Sequence, residues 1–220
     1  MVPPASVATT ATSTKDTQAP VEKQDLARDL NVVMKNASDS RAKDHATKLG
    51  VSGTNLEVFT FLAKCGKFFI YDDQGNFNAN ANQDAFAAAV LSITPEMIQQ
   101  TRALAKGTEG DSERGTIYIL LSAGGTYVQQ PGKFYTAGFK QAFQNLDASK
   151  IDKASGCLTT DRAVTLTLLL RLSGNFLNSN ATFDAVRFNS RLDALKPSEF
   201  SGDLDQREKT FRERMKASTQ

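Results

Sequence analysis

His45 is the chain's one histidine and so the first residue to ask about acid–base chemistry near neutral pH. It stands between Asp44 and Ala46 in a polar stretch, with no nucleophile or orienting group spaced around it, and reads as a solvated surface histidine. Asp72-Asp73-Gln74-Gly75-Asn76 lacks the alternating oxygen ligands and closing glutamate of a calcium loop, and reads as a turn. Ser122-Ala123-Gly124-Gly125-Thr126 could offer backbone amides to a phosphate, yet it lacks the lysine and hydroxyl that complete a P-loop and reads as a flexible connection. Cys65 and Cys157 are too few and too far apart for a disulfide framework or a zinc site, and Cys65 reads as a small buried hydrophobe. No enzyme, cofactor or metal is expected.

Binding a polyanion asks for less, because it requires only cations held along a groove that solvent can reach. Arg102 and Lys106 lie one helical turn apart, Arg114 and Lys140 flank the glycine-rich segment, and Arg162 and Arg171 belong to the most apolar stretch of the chain. Arg171 suits a rim ion pair and a phosphate contact equally, since arginine serves both through the same bidentate geometry. Lys64 and Lys67 share one polar strip and rank lower, because solvated heads on apolar stems account for them.

The elements that would position these cations are helical. Residues 54–71, TNLEVFTFLAKCGKFFIY, carry a Thr54/Glu57 capping box and two adjacent apolar lines, one through Leu56, Phe59, Leu62 and Phe69, the other through Val58, Phe61, Cys65 and Phe68. This stretch is expected to be the helix around which the core is built. Residues 22–48 predict polar helix, 83–91 an alanine-rich helix, and Thr94-Pro95-Glu96 starts a helix that stops at Lys106-Gly107. Residues 107–115 read as a solvated loop, 116–121 as either helix or buried strand, and 122–132 as loose chain. A helix over 134–146 precedes a polar linker to Gly156. Thr160 then caps a long apolar helix, a turn follows at 178–180, and a helix over 183–195 stops at Pro197. Residues 203–220 alternate charges around Leu204, Phe211 and Met215, an amphipathic helix whose stripe is too small to stand alone and which is expected to dock, for instance on a neighbouring subunit.

The fold expected is mainly α: a disordered arm over 1–21, a single helical core over 22–197 and a tail over 198–220. A net charge of +2 over 220 residues excludes a strongly basic nucleic-acid binder while leaving room for local basic lines. The first 20 residues lack the basic start and apolar run of a signal peptide, and no apolar run reaches membrane-spanning length, so a soluble intracellular chain without membrane association is expected. On that expectation the sequons at Asn36 and Asn180 are coincidental.

The order of segments resembles the coat proteins of flexible filamentous plant viruses. The resemblance runs through the Pro/Ser/Thr/Ala-rich arm, Leu49-Gly50-Val51, an apolar helix containing Cys65, Gln74-Gly75-Asn76-Phe77, the helix from Asp84 to Leu91, Arg102, and Gly138-Phe139-Lys140 with Phe143 and Asp147. The family's Pro-Val-x-Trp stretch has no counterpart, since the chain contains no tryptophan. The resemblance implies a helical core with a groove for single-stranded RNA, terminal arms that embrace neighbouring subunits in an open helical homopolymer, and residence in virions and host cytoplasm. It also implies an Arg102–Asp147 ion pair. The RNA-binding set is then Arg102, Lys106, Arg114, Lys140, Arg162 and Arg171. The alternative is a helical protein–protein interaction module that docks through its tail and has no nucleic-acid role.

Overall fold

Most helices among the described residues begin where a short polar side chain accepts from the free amides of a first turn. A computed structural model describes residues 53–69, 83–129 and 132–216, and Thr47. Among the described residues the chain is mainly α: α1 Gly53–Gly66, α2 Gln83–Ser92, α3 Pro95–Leu104, α4 Glu113–Gly124, α5 Thr136–Gln144, α6 Ala148–Leu158, α7 Arg162–Ser173, α8 Ala185–Ala194 and α9 Leu204–Met215. One short hairpin joins them, β1 Val128–Gln129 antiparallel to β2 Lys133–Phe134. Thr94 accepts from the Met97 amide (3.3 Å) to start α3, and Ser112 from Gly115 (3.0 Å) to start α4. Asp161, not Thr160, caps α7, accepting from Ala163 (2.8 Å) and Val164 (3.0 Å). Its carboxylate also complements the positive end of the helix.

The centre of the core is the contact between α4 and α7. Leu166, Leu168, Leu169, Leu170 and Leu172 of α7 are all buried, so this helix is apolar around most of its circumference. The hydroxyls of Thr165 and Ser173 are buried with them and return to the carbonyls of Asp161 (2.9 Å) and Leu170 (2.7 Å), which satisfies both hydroxyl donors. α3, α5 and α6 also pack on α7, while α1, α2 and α3 pack on α4. Residues 116–121, open to either assignment by pattern, are therefore helix. Thr116, Ile119, Leu120 and Leu121 are buried within the helical core, and that burial overrides the strand preference.

Several expectations are corrected. The α-helix of the 54–71 stretch stops at Gly66, with a single 3-10 turn over Lys67–Phe69, and it lies at the edge of the core: Val58 is 49% exposed, and Phe61 and Leu62 are only half-buried. Two apolar lines on a helix mark what can be covered, and here the central place went to α4 and α7. The helix begins at Gly53, ahead of the proposed capping box, whose Thr54 side chain lies outside the described residues. Cys65 is fully buried, as its type suggested.

Residues 122–132 are not loose in their described part. Gly124 and Gly125 are close-approach sites: a Cβ at Gly125 would overlap the Phe68 carbonyl, and one at Gly124 would stand 2.9 Å from the Phe69 ring. The 107–115 loop contains a 3-10 turn over Glu109–Asp111 whose Gly110 is buried against Ala163. The linker expected before Gly156 is α6, capped by Asp147 through the Lys150 amide (2.9 Å).

The tail is not separate from the core. Phe211 and Met215 are buried to 0% and 1% exposure, Phe211 packs on Phe200 with ring centroids 6.0 Å apart, and Arg207 donates to the Cys157 carbonyl (3.1 Å). α9 packs on α6 and α8, so the boundary placed at 197/198 does not divide the fold. The small stripe of α9 docks, but onto its own chain. The arm over 1–21, the polar helix with His45, and the turn at 72–76 lie outside the described residues.

Candidate nucleic-acid-binding groove

Four helices leave a groove of about 910 Å³ between them. α7 supplies the floor with Val164, Thr167, Leu168 and Arg171, which share one face because they recur at helical spacing. α4 supplies Arg114, Tyr118 and Ile119 on one wall, α1 supplies Phe61 and Lys64, and α9 supplies Glu208 and Arg212. The caps of α4 and α7, Ser112 and Asp161, also reach it.

Four cations line the groove against three carboxylates, Glu109, Asp161 and Glu208. Asp161 is held by the first amides of α7, and Glu208 by Arg212 on the next turn of α9 (2.6 Å). Arg114 pairs with Glu57 at 2.9 Å, and both side chains are mostly in solvent, 64% and 66% exposed. A pair of that kind contributes roughly 0–1 kcal/mol, so an arriving phosphate can exchange for the carboxylate at little cost. Arg171 is half-buried, with its guanidinium 5.8 Å from the centre of the Phe68 ring, where Lys67 also sits at 5.0 Å. Tyr118 meets the same Phe68 ring edge to face, with centroids 5.5 Å apart. Its phenol is held above the ordinary range, first by burial and then by Cys65, with Arg171 opposing. Burial pushes the Cys65 thiol up to about 12, so it stays protonated at neutral pH and supplies no nucleophile.

Of the six cations singled out in the sequence, the groove brings together two, Arg114 and Arg171. Arg102 donates to the Asp111 carbonyl (2.8 Å) and closes the loop between α3 and α4. Arg162 reaches Asp152 of α6 (3.2 Å), an interhelical tie. Lys106 is exposed beyond the end of α3, and Lys140 is half-buried on α5; neither lines the groove. The Arg102–Asp147 ion pair does not form. Asp147 caps α6 with one oxygen and takes the Lys150 ammonium at 2.6 Å with the other, which holds its carboxyl below the usual range.

The sequence reading did not single out Phe61, Tyr118 or Arg212 as site residues, and it ranked Lys64, which also lines the groove, below the six. Arg114 and Tyr118 share a face because 113–124 is one helix, whereas the sequence reading placed Arg114 in a loop over 107–115 and left only 116–121 open between helix and strand. Nothing local in 203–220 says that Arg212 returns to α7.

Comparison with protein-family models, curated proteins and solved structures gives no match for this chain. Among the described residues no group of three or more His, Cys, Asp and Glu side chains could hold a metal, and no helix is long and apolar enough to cross a membrane. What the groove offers chemically is cationic side chains beside exposed parts of aromatic rings over an apolar floor, an arrangement suited to an anionic polymer that carries flat apolar groups.

Proposed function

We propose that the chain binds single-stranded RNA along this groove without strong sequence preference and assembles with further copies into a helical filament, as a coat or nucleocapsid protein does. The observation that carries the reading is the meeting of Lys64, Arg114, Arg171 and Arg212 with Phe61 and Tyr118 in one groove. Phosphates would meet the cations while bases lie on rings and apolar floor, which is sequence-tolerant because every base has a π-face. The near-neutral net charge of +2 suits subunits that must pack on one another as well as on phosphates. Because the stripe of α9 is already used within the chain, assembly contacts fall to the arm over 1–21 and to exposed apolar side chains such as Leu91 (70% exposed) and Val186 (82%).

A short fluorescein-labelled oligouridine titrated with the full chain tests the binding step. Anisotropy should rise, and affinity should fall steeply as salt is added. Absence of binding, or binding indifferent to salt, would overturn it. Negative-stain microscopy and nuclease-treated gel filtration test assembly: a monomer with no filaments and no nucleic-acid absorbance would contradict it.

A protein partner is the second reading, favoured by the apolar lining of Ile119, Val164 and Leu168. Its binding would be far less sensitive to salt.

A further inference from the structure

We infer that Tyr118 is the base-stacking platform of the groove, an inference that rests on the RNA-binding reading and adds to it the residue that holds the base. Tyr118 lines the groove, is half-buried and packs against the core, so it is both anchored and within reach of a ligand. The ring is braced by Phe68, whose centroid lies 5.5 Å away with the two planes at 76°, a T-shaped contact that restricts its rotation. A ring already held still loses little freedom when a base lies on it, and such pre-organisation is what converts contact into affinity. The cations stand where the adjoining phosphates would be. Arg114 is one turn before Tyr118 on the same face of α4, and Arg171 of α7 approaches the Phe68 ring that braces Tyr118. The groove's other ring, Phe61, is on the α1 wall, giving a neighbouring base an apolar surface.

The chain has no tryptophan, so Tyr118→Trp creates a single reporter at the position in question. Oligouridine should quench its emission by stacking. Inorganic polyphosphate, which offers the same anions without bases, should compete for the cations and leave emission nearly unchanged. Tyr118→Ala should weaken oligouridine binding roughly 5- to 150-fold, the range that loss of one base stack produces. Tyr118→Phe, which keeps the ring and discards the hydroxyl, should recover most of that loss. If Tyr118→Ala is destabilised in a thermal melt, the Tyr118→Trp and Tyr118→Phe variants decide.

Equal quenching by polyphosphate and oligouridine, wild-type affinity in Tyr118→Ala, or a loss in Tyr118→Phe as large as in Tyr118→Ala would each overturn the inference while leaving RNA binding in place. If the wild-type chain itself fails to bind oligouridine, the functional reading falls and this inference with it.

Discussion

Arg114 shows how little a surface pair says about the role of its members. Its bond to Glu57 joins two exposed side chains, so Arg114→Ala should change unfolding free energy by no more than about 1 kcal/mol. The same substitution removes a cation from the groove. Arg114→Ala and Lys64→Ala should each weaken oligouridine binding several-fold and lower the salt slope by about 0.7, the value for one single-strand phosphate contact. Arg102→Ala is the control, since its guanidinium serves the Asp111 carbonyl outside the groove. Anisotropy titrations across a salt series measure all three, and a larger loss for Arg102→Ala than for Arg114→Ala would remove the groove from consideration. The basic residues could be found by type alone, but which of them share a surface depends on neighbours far along the chain: Glu57 and Arg114 are 57 positions apart.

Among the elements, two glycines have opposite roles. Gly125 follows α4 and sits against the backbone of Phe68, a contact that fixes the end of α1 and the brace of Tyr118. Gly156 lies inside α6, exposed, with only the Pro197 ring at 3.9 Å from where a Cβ would be. Gly125→Ala should destabilise by about 1–3 kcal/mol through overpacking, whereas Gly156→Ala should stabilise by about 0.5–1 kcal/mol through helix propensity. Urea denaturation gives both signs, and a neutral Gly125→Ala would mean that the approach of α1 to α4 is looser than described. Both glycines are punctuation in the sequence. The first was read as a flexible connection and the second as the end of a linker, because local composition carries no information about a backbone arriving from another element.

At the scale of the whole molecule, the tail decides whether the chain is a core with an appendage or one cooperative unit. Phe211→Ala should cost about 3–5 kcal/mol, as for other fully buried aromatic side chains, while Leu204→Ala, 40% exposed on the same helix, should cost about 0.5 kcal/mol or less. Chemical denaturation followed by helix content checks this. An unchanged midpoint for Phe211→Ala would restore the tail as a separate docking helix. The fold class, the helix starts at Thr94 and near Asp161, the burial of Cys65 and the amphipathic character of 203–220 are legible in the residues alone, because caps and periodicity act within a few residues. Only the tertiary structure decided that α4 and α7 rather than 54–71 form the centre, that α9 closes on α6 and α8, and that Lys64, Arg114, Tyr118, Arg171 and Arg212 meet in one groove. A periodic stripe states that a face can be covered; the partner that covers it is chosen by competition among all the stripes of the chain.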